Sequence, residues 1–502
     1  MEESMFNFDK LSVSKFYVAP PVERVVEFSP PGLDMQNIAK VLSLAVDAKS
    51  NSVDVYDGYV QLGGRTNFRL TYLDKEGNPK GVDYNADFTV RVDGEFLVDD
   101  NVSPTIKVVE SDVQANDSLA LSAVLEVCVS AQRRDEIEVL TDAEDCYKTT
   151  KQVLLPSFIA TKTTVASFDD EQEVGGEISS VLGLNTNVSV KRAEAVEGGA
   201  IAQANLYATV TYVESGVIKQ RDFNLELEEE LNLDGVQEGD SICVQANVKS
   251  TKIILQGVTD DNVIKVEGEV QFKVQAFRCS QAEVVDDMFT LTNEVTLTRE
   301  NTGYICFDGC GFFNENVSGT AVLGDNKAAV LEINALPYAR CYTSKSYVDE
   351  NGELVVEGIV NTDIIYTDEN GYNSVRTEIP FSLSIASAQP FSKVVKVCCT
   401  VEDISARVRR EREIDVQLRL GVEVCGYSDV SVGYISAVEL GEEKPQNKSA
   451  LSLYISNKGD EILDLCKALT AMPDDIMAQN PTLQFPLNEG ERVIYFRSIS
   501  IA

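Results

Sequence analysis

Val41 to Tyr72 reads VLSLAVDAKSNSVDVYDGYVQLGGRTNFRLTY, and it lies without a gap over Val181 to Tyr212, VLGLNTNVSVKRAEAVEGGAIAQANLYATVTY, at an offset of 140. Identities fall at Val41/Val181, Leu42/Leu182, Leu44/Leu184, Gly58/Gly198, Thr71/Thr211 and Tyr72/Tyr212. A third copy opens with Val330-Leu331-Glu332-Ile333 and ends with Ile364-Ile365-Tyr366. It runs five residues longer, an excess assigned to the turn Asp349-Glu350-Asn351-Gly352. Eight residues before each tyrosine stands a small residue, Gly64, Ala204 or Gly358, and after each tyrosine comes a turn. Tyr72-Leu-Asp74-Lys-Glu-Gly77 and Tyr366-Thr-Asp368-Glu-Asn-Gly371 share Tyr-x-Asp-x-x-Gly, while the second copy shortens this to Tyr212-Val-Glu-Ser-Gly216. Such glycine-containing segments between alternating runs are hairpin signals.

The return strands are then Asp87-Phe88-Thr-Val90, Phe223-Asn-Leu225-Glu-Leu227 and Phe381-Ser-Leu383-Ser-Ile385. Each copy closes on another alternating run, at Val124 to Val129, Val270 to Val274 and Ile414 to Leu420. Period-two alternation is the mark of a strand with one buried face. The tyrosines, phenylalanines and glycines of the copies therefore read as core and turn, not as a binding site. Arg407-Val-Arg409-Arg410-Glu-Arg412-Glu413 has acids interleaved with its bases and reads as a solvated sheet face. Asp34 to Leu44, following Pro30-Pro31-Gly32, has the periodicity of a helix, and Glu439 to Ser449, with Gly441 and Pro445, reads as a linker.

Beyond Tyr454 the period changes. Ile462, Leu463, Leu465, Cys466 and Leu469 form one helical stripe after the turn and cap Gly459-Asp460. Pro473-Asp474-Asp475 opens a second helix, with proline in its first turn and acids at the positive end of the dipole. Asn480-Pro481 ends that helix, and Glu491 to Phe496 forms a strand after Gly490. The tail thus reads strand, helix, helix, strand.

Composition narrows the chemistry. The 502 residues correspond to about three to four domains at ~150 residues each. Forty-three Lys plus Arg against 81 Asp plus Glu give a net charge of −38, which repels nucleic-acid phosphates and anionic lipid surfaces. No histidine occurs, which excludes Ser-His, Cys-His and imidazole-metal arrangements. The eleven cysteines are odd in number and scattered, as in a chain kept reduced in a cytoplasm. Cys306-x-x-x-Cys310 lacks the spacing of a Cys-x-x-Cys redox site, and the adjacent Cys398 and Cys399 point to opposite faces of a strand. Neither a phosphate-binding Gly-x-x-x-x-Gly-Lys-Ser/Thr loop nor a run of 18 apolar residues occurs, and the N-terminus opens acidic, without a secretory pattern.

The tail resembles the LysM domain at Tyr454, Gly459, Asp460, Leu463, Ala468, Ile476, Asn480, Gly490 and Val493. It departs from the carbohydrate-binding version in having Glu461 where Thr or Ser is usual, and no aromatic at Ile462 or Leu463. Copy three, with Val355-Val-Glu-Gly358 to Tyr366, Glu378-Ile-Pro-Phe381 and Ile404 to Val416, resembles the SPOCS domain of endospore-forming Firmicutes. Copies one and two lack its Pro-Phe step, as Asp87-Phe88 and Asp222-Phe223 show. Several SPOCS-like copies before one LysM-like tail are similar in arrangement to the SipL-type spore coat morphogenetic family.

The expected fold is mainly β: three tandem sandwich-like SPOCS-like domains over residues 21–150, 151–285 and 286–435. An N-terminal tail covers 1–20, a linker 436–451 and a βααβ LysM-like domain 452–502. The resemblance implies a non-enzymatic scaffold without cofactor or metal, at the forespore surface in the mother-cell cytoplasm. Its implied partner is a basement-layer protein of the spore coat, an ATPase of the stage IV sporulation protein A type. Peptidoglycan is the alternative ligand. The implied partner-binding groove of the tail comprises Gly459, Asp460, Glu461, Ile462, Leu463, Asn480, Leu483 and Phe485.

Overall fold

The computed structural model describes residues 5–30, 37–115, 119–258, 261–324, 326–387, 391, 394–445 and 449–497. The first repeat contributes β1 (Phe6–Val18), β2 (Val22–Phe28), β3 (Ile38–Tyr56), β4 (Tyr59–Asp74), β5 (Pro79–Asp93), β6 (Asn101–Ala115) and β7 (Leu119–Ala143). The second contributes β8 (Tyr147–Val174), β9 (Ile178–Val196), β10 (Gly199–Glu214), β11 (Val217–Asn232), β12 (Ser241–Val258) and β13 (Asp261–Phe289). The third contributes β14 (Asn293–Val322), β15 (Glu332–Val348), β16 (Leu354–Asp368), β17 (Gly371–Ile385), β18 (Val394–Arg410) and β19 (Glu413–Glu443).

Each repeat stacks an antiparallel meander on a second sheet. The meanders are β3-β4-β5, β9-β10-β11 and β15-β16-β17; the second sheets order as β12-β13-β8 and β14-β19-β18, with β1, β2 and β6 all pairing with β7 in the first repeat. Alternation along the strands sends one face of each sheet into a shared core, where Leu62, Phe68 and Leu70 of the first meander meet Leu121, Leu125 and Val127 of its partner sheet. Equivalent cores fill the second and third repeats. The architecture is mainly β, as the alternation requires.

The register confirms the internal equivalence. Tyr72, Tyr212 and Tyr366 all lie on the central strand of their meander, opposite Val41, Val181 and Ile333. Ile333, rather than Val330, is therefore the counterpart of Val41; Val330 and Leu331 precede the strand. The small residue eight positions earlier has a packing cause. Gly64 faces Phe88 and Gly358 faces Phe381 across the sheet, and a Cβ at either glycine would come within 2.3 Å and 2.5 Å of the phenylalanine ring. In the second repeat Ala204 faces Leu227, a larger residue against a smaller one. Leu227, not Phe223, is thus the counterpart of Phe88 and Phe381; Phe223 lies four residues earlier on its strand, opposite Ala208.

Other expectations change. Ile38 to Leu44 is strand and not helix, because Leu42, Leu44 and Val46 alternate into buried positions against β4, while 34–36 lie outside the described residues. The N-terminal segment is a strand: β1 pairs along residues 130–143 of β7, and β2 continues along 121–127. Pro20 and Pro21, which cannot donate to a ladder, interrupt what is one continuous strand in β8. The linker is shorter than expected, since β19 stays paired with β14 to Glu443; 446–448 lie outside the described residues. Arg407 to Glu413 occupies the exposed β18–β19 hairpin, with Arg407 at 3.4 Å from Asp415 and Arg410 at 3.4 Å from Glu413.

The three repeats close into a ring. The ends of their longest strands leave the sandwiches as two-stranded ribbons that share one apolar cluster, with Val13, Ile137 and Val139 meeting Val153, Leu155 and Val284 and also Tyr304, Val432 and Tyr434. At the opposite end Leu42 and Leu73, Leu182 and Val213, and Ala335 and Ile365 bring the three meanders together. Between them lies a cavity of about 620 Å³ walled by all three repeats. Buried polar groups seal each junction. Asp363 of the third repeat binds Ser43 Oγ (2.7 Å) of the first; Glu402 of the third accepts from Ser189 Oγ (2.9 Å) and pairs with Lys191 of the second; Lys273 of the second donates to Val102 O (2.7 Å) and Ser103 Oγ (2.7 Å) of the first.

Candidate functional site: the C-terminal βααβ unit

The tail consists of β20 (Leu451–Ile455), α1 (Ile462–Leu469), α2 (Pro473–Gln479) and β21 (Arg492–Phe496). Leu463, Leu465, Cys466 and Leu469 bury the inner face of α1 against Ile476, Leu487, Val493 and Tyr495. The Asp464 carboxylate accepts from Glu461 N at 2.8 Å, which satisfies one donor at the helix start. Pro473 occupies the first turn of α2, where no amide donor is needed. The unit rests on the ribbon tip of the second repeat. Phe289 and Tyr147 complete its core, Lys467 pairs with Asp287, and Lys444 Nζ stands 4.1 Å from the Phe289 ring.

The eight expected groove residues divide by what they do. Gly459 turns with φ +94° and donates to Leu487 O at 2.8 Å, so its conformation is one that other residues rarely take. Asp460 accepts from Tyr454 Oη (2.6 Å) and Asn457 N (2.8 Å). That shared proton pushes the Tyr454 hydroxyl up to about 12 and holds the Asp460 carboxyl below the usual carboxylate range. Asn480 clasps helix to strand, donating to Ile476 O (2.9 Å) and Ile494 O (2.7 Å) and accepting from Ile494 N (3.1 Å). Leu463 is in the core. These four residues build the unit. Glu461 is exposed, and Ile462, Leu483 and Phe485 are half-buried at the edge of the core, so these four are the ones a ligand in the groove can touch.

A larger accessible surface lies elsewhere, and the sequence reading did not single it out. The helices cover only one face of the β20–β21 sheet. On the other, Leu451 (53% exposed), Leu453 (57%), Ile455 (61%), Ile494 (42%) and Phe496 (61%) form one apolar sheet face, with Leu451 opposite Phe496 and Leu453 opposite Ile494. Contiguous exposed apolar surface marks an interaction site more often than chance exposure does. The signal was present in the sequence. Tyr454, Val493 and Tyr495 point inward, so strand alternation obliges their five apolar neighbours to point outward.

Residues 177–256 and 332–409 match the family described as SipL, SPOCS domain. The two matches cover corresponding pieces of structure, running from the first strand of a meander (β9, β15) into the edge strand of the second sheet (β12, β18). The chain therefore carries SPOCS domains. No curated protein and no solved structure matches it.

Proposed function

We propose that this SPOCS-domain chain is a non-enzymatic scaffold of endospore coat assembly. Its LysM-like tail binds a coat-basement ATPase of the stage IV sporulation protein A type, and its place is the mother-cell side of the forespore surface. Two SPOCS matches support the link to sporulation. The observation that carries the binding role is the exposed face of Leu451, Leu453, Ile455, Ile494 and Phe496. These side chains offer no donor or acceptor to sugar hydroxyls, whereas a protein partner gains from covering each of them. The tail carries seven acids against four bases, which favours a partner with basic groups around its apolar anchors. Among the described residues no helix is long and apolar enough to cross a membrane.

The test compares the sheet face with the groove in the full chain. Phe496→Asp places a charge on this apolar face, so binding to the purified ATPase should weaken at least about tenfold, as for a hot-spot residue. Glu461→Lys and Leu483→Ala should change it less. The three variants are also measured on peptidoglycan, with circular dichroism as the folding control. If the groove variants abolish peptidoglycan binding while all three leave ATPase binding untouched, the glycan reading replaces this one.

A further inference from the structure

Three cysteines that are far apart in the chain meet beside the central cavity, which Cys243 and Cys425 line. Cys243 lies on β12 of the second repeat, and Cys310 and Cys425 lie on β14 and β19 of the third; their sulfurs are all within 4.8 Å of one another. The ladder explains the meeting. Cys310 and Cys425 are direct cross-strand partners, Lys396 flanks Cys425 on its other side, and Cys243, opposite Gln275, approaches from the neighbouring sheet. Alternation in β19 turns Glu423, Cys425 and Tyr427 to the cavity while Val422 and Val424 enter the core. Glu423 Oε1 stands 3.7 Å from Cys425 Sγ. Half-buried or buried thiols on rigid strands, converging from two repeats with a carboxylate alongside, form a soft donor set.

We propose that Cys243, Cys310 and Cys425 bind one zinc(II) ion, with Glu423 or a water from the cavity as the fourth ligand, and that this ion pins the second repeat to the third. Tetrahedral zinc with Zn–S of about 2.3 Å holds sulfurs about 3.8 Å apart, so closure from the observed spacing takes shifts of about 1 Å or less. On binding, each thiol gives its proton to solvent and each sulfur donates a lone pair to the metal. The excess negative charge has compensation at hand in Lys396, the ladder partner of Cys425, which also lines the cavity.

The other repeats supply the contrast. Glu126-Val127-Cys128 repeats Glu423-Val424-Cys425 on β7, with Cys128 Sγ 3.9 Å from Glu126 Oε1, but Thr105 stands opposite Cys128 where Cys310 stands opposite Cys425. Cys128 is therefore an internal control with the same local sequence and, among the described residues, no such set of thiol neighbours.

Cobalt(II) reports the site directly. The full chain, purified under reducing conditions and stripped with a chelator, should take up one cobalt per chain, with thiolate-to-metal charge transfer and the strong visible bands of tetrahedral geometry, and zinc should displace it. Loss of an outer-shell partner already costs about 10–100-fold in metal affinity, so Cys243→Ser, Cys310→Ser and Cys425→Ser should each cost at least that, while Cys128→Ser changes nothing. Should a serine variant fail to fold, X-ray absorption of the zinc-loaded wild type decides, with three sulfur neighbours expected. A zinc shell of oxygen or nitrogen only, affinity indifferent to the three serine variants, or a Cys310–Cys425 disulfide in place of metal uptake would overturn the assignment.

Discussion

Gly358→Val should cost the third repeat at least about 3 kcal/mol, beyond the ~1–3 kcal/mol usual for overpacking, because two obstacles act at once. A Cβ at this position would lie 2.4 Å from Tyr342 O and 2.5 Å from Phe381 Cζ. The carbonyl belongs to the neighbouring strand β15 and cannot retreat without breaking the β15–β16 ladder, and the ring is held in the core of the repeat. The second repeat shows the remedy, since Ala204 is tolerated where the residue opposite is Leu227. Gly358→Ala should therefore destabilise by itself, and adding Phe381→Leu should restore part of the loss. Denaturant unfolding of the two single variants and the double variant measures the coupling. Strictly additive losses would contradict the packing account.

The second large effect concerns ring closure. Arg376→Ala should lower stability by about 3–5 kcal/mol, the usual cost of leaving a buried charge without its partner. The Asp363 side chain is 3% exposed and accepts from Arg376 Nε (2.7 Å), Arg376 Nη2 (3.0 Å), Ser43 Oγ (2.7 Å) and Leu44 N (3.2 Å). The same guanidinium donates to Leu44 O (2.8 Å) and Ser111 O (2.8 Å) of the first repeat. Its removal strikes the junction of repeats one and three, and limited proteolysis should find that junction opened first. Asp363→Asn added to Arg376→Ala removes the stranded charge and should recover part of the loss. If the single variant unfolds like the wild type, this network does not hold the ring.

The repeats were legible in the sequence because their signals are local. A tyrosine before a turn, a small residue eight positions earlier and period-two alternation are properties of one hairpin, and the register places all three tyrosines on equivalent central strands. The helix expected at Asp34 to Leu44 failed over Ile38 to Leu44 because apolar residues close together fit either period until neighbouring strands select one. Ring closure left no local trace. Asp363 and Ser43 are 320 residues apart, and Cys243 meets Cys310 and Cys425 only once the second and third repeats share a wall. In the tail the order of elements was readable, and so was the alternation that turns Leu451, Leu453 and Phe496 away from Tyr454, Val493 and Tyr495, but what lies over them is not a local property. A two-stranded sheet covered on one side leaves them no core to enter.

The claim that the tail is a protein-docking unit is tested most directly by hydrogen exchange on the full chain, with and without the purified coat-basement ATPase. Binding should slow exchange in residues 451–455 and 492–496, the two strands that carry the exposed apolar face, and leave the three meanders unchanged. Protection confined to the repeats, with the β20–β21 sheet exchanging as fast as in the free chain, would contradict it.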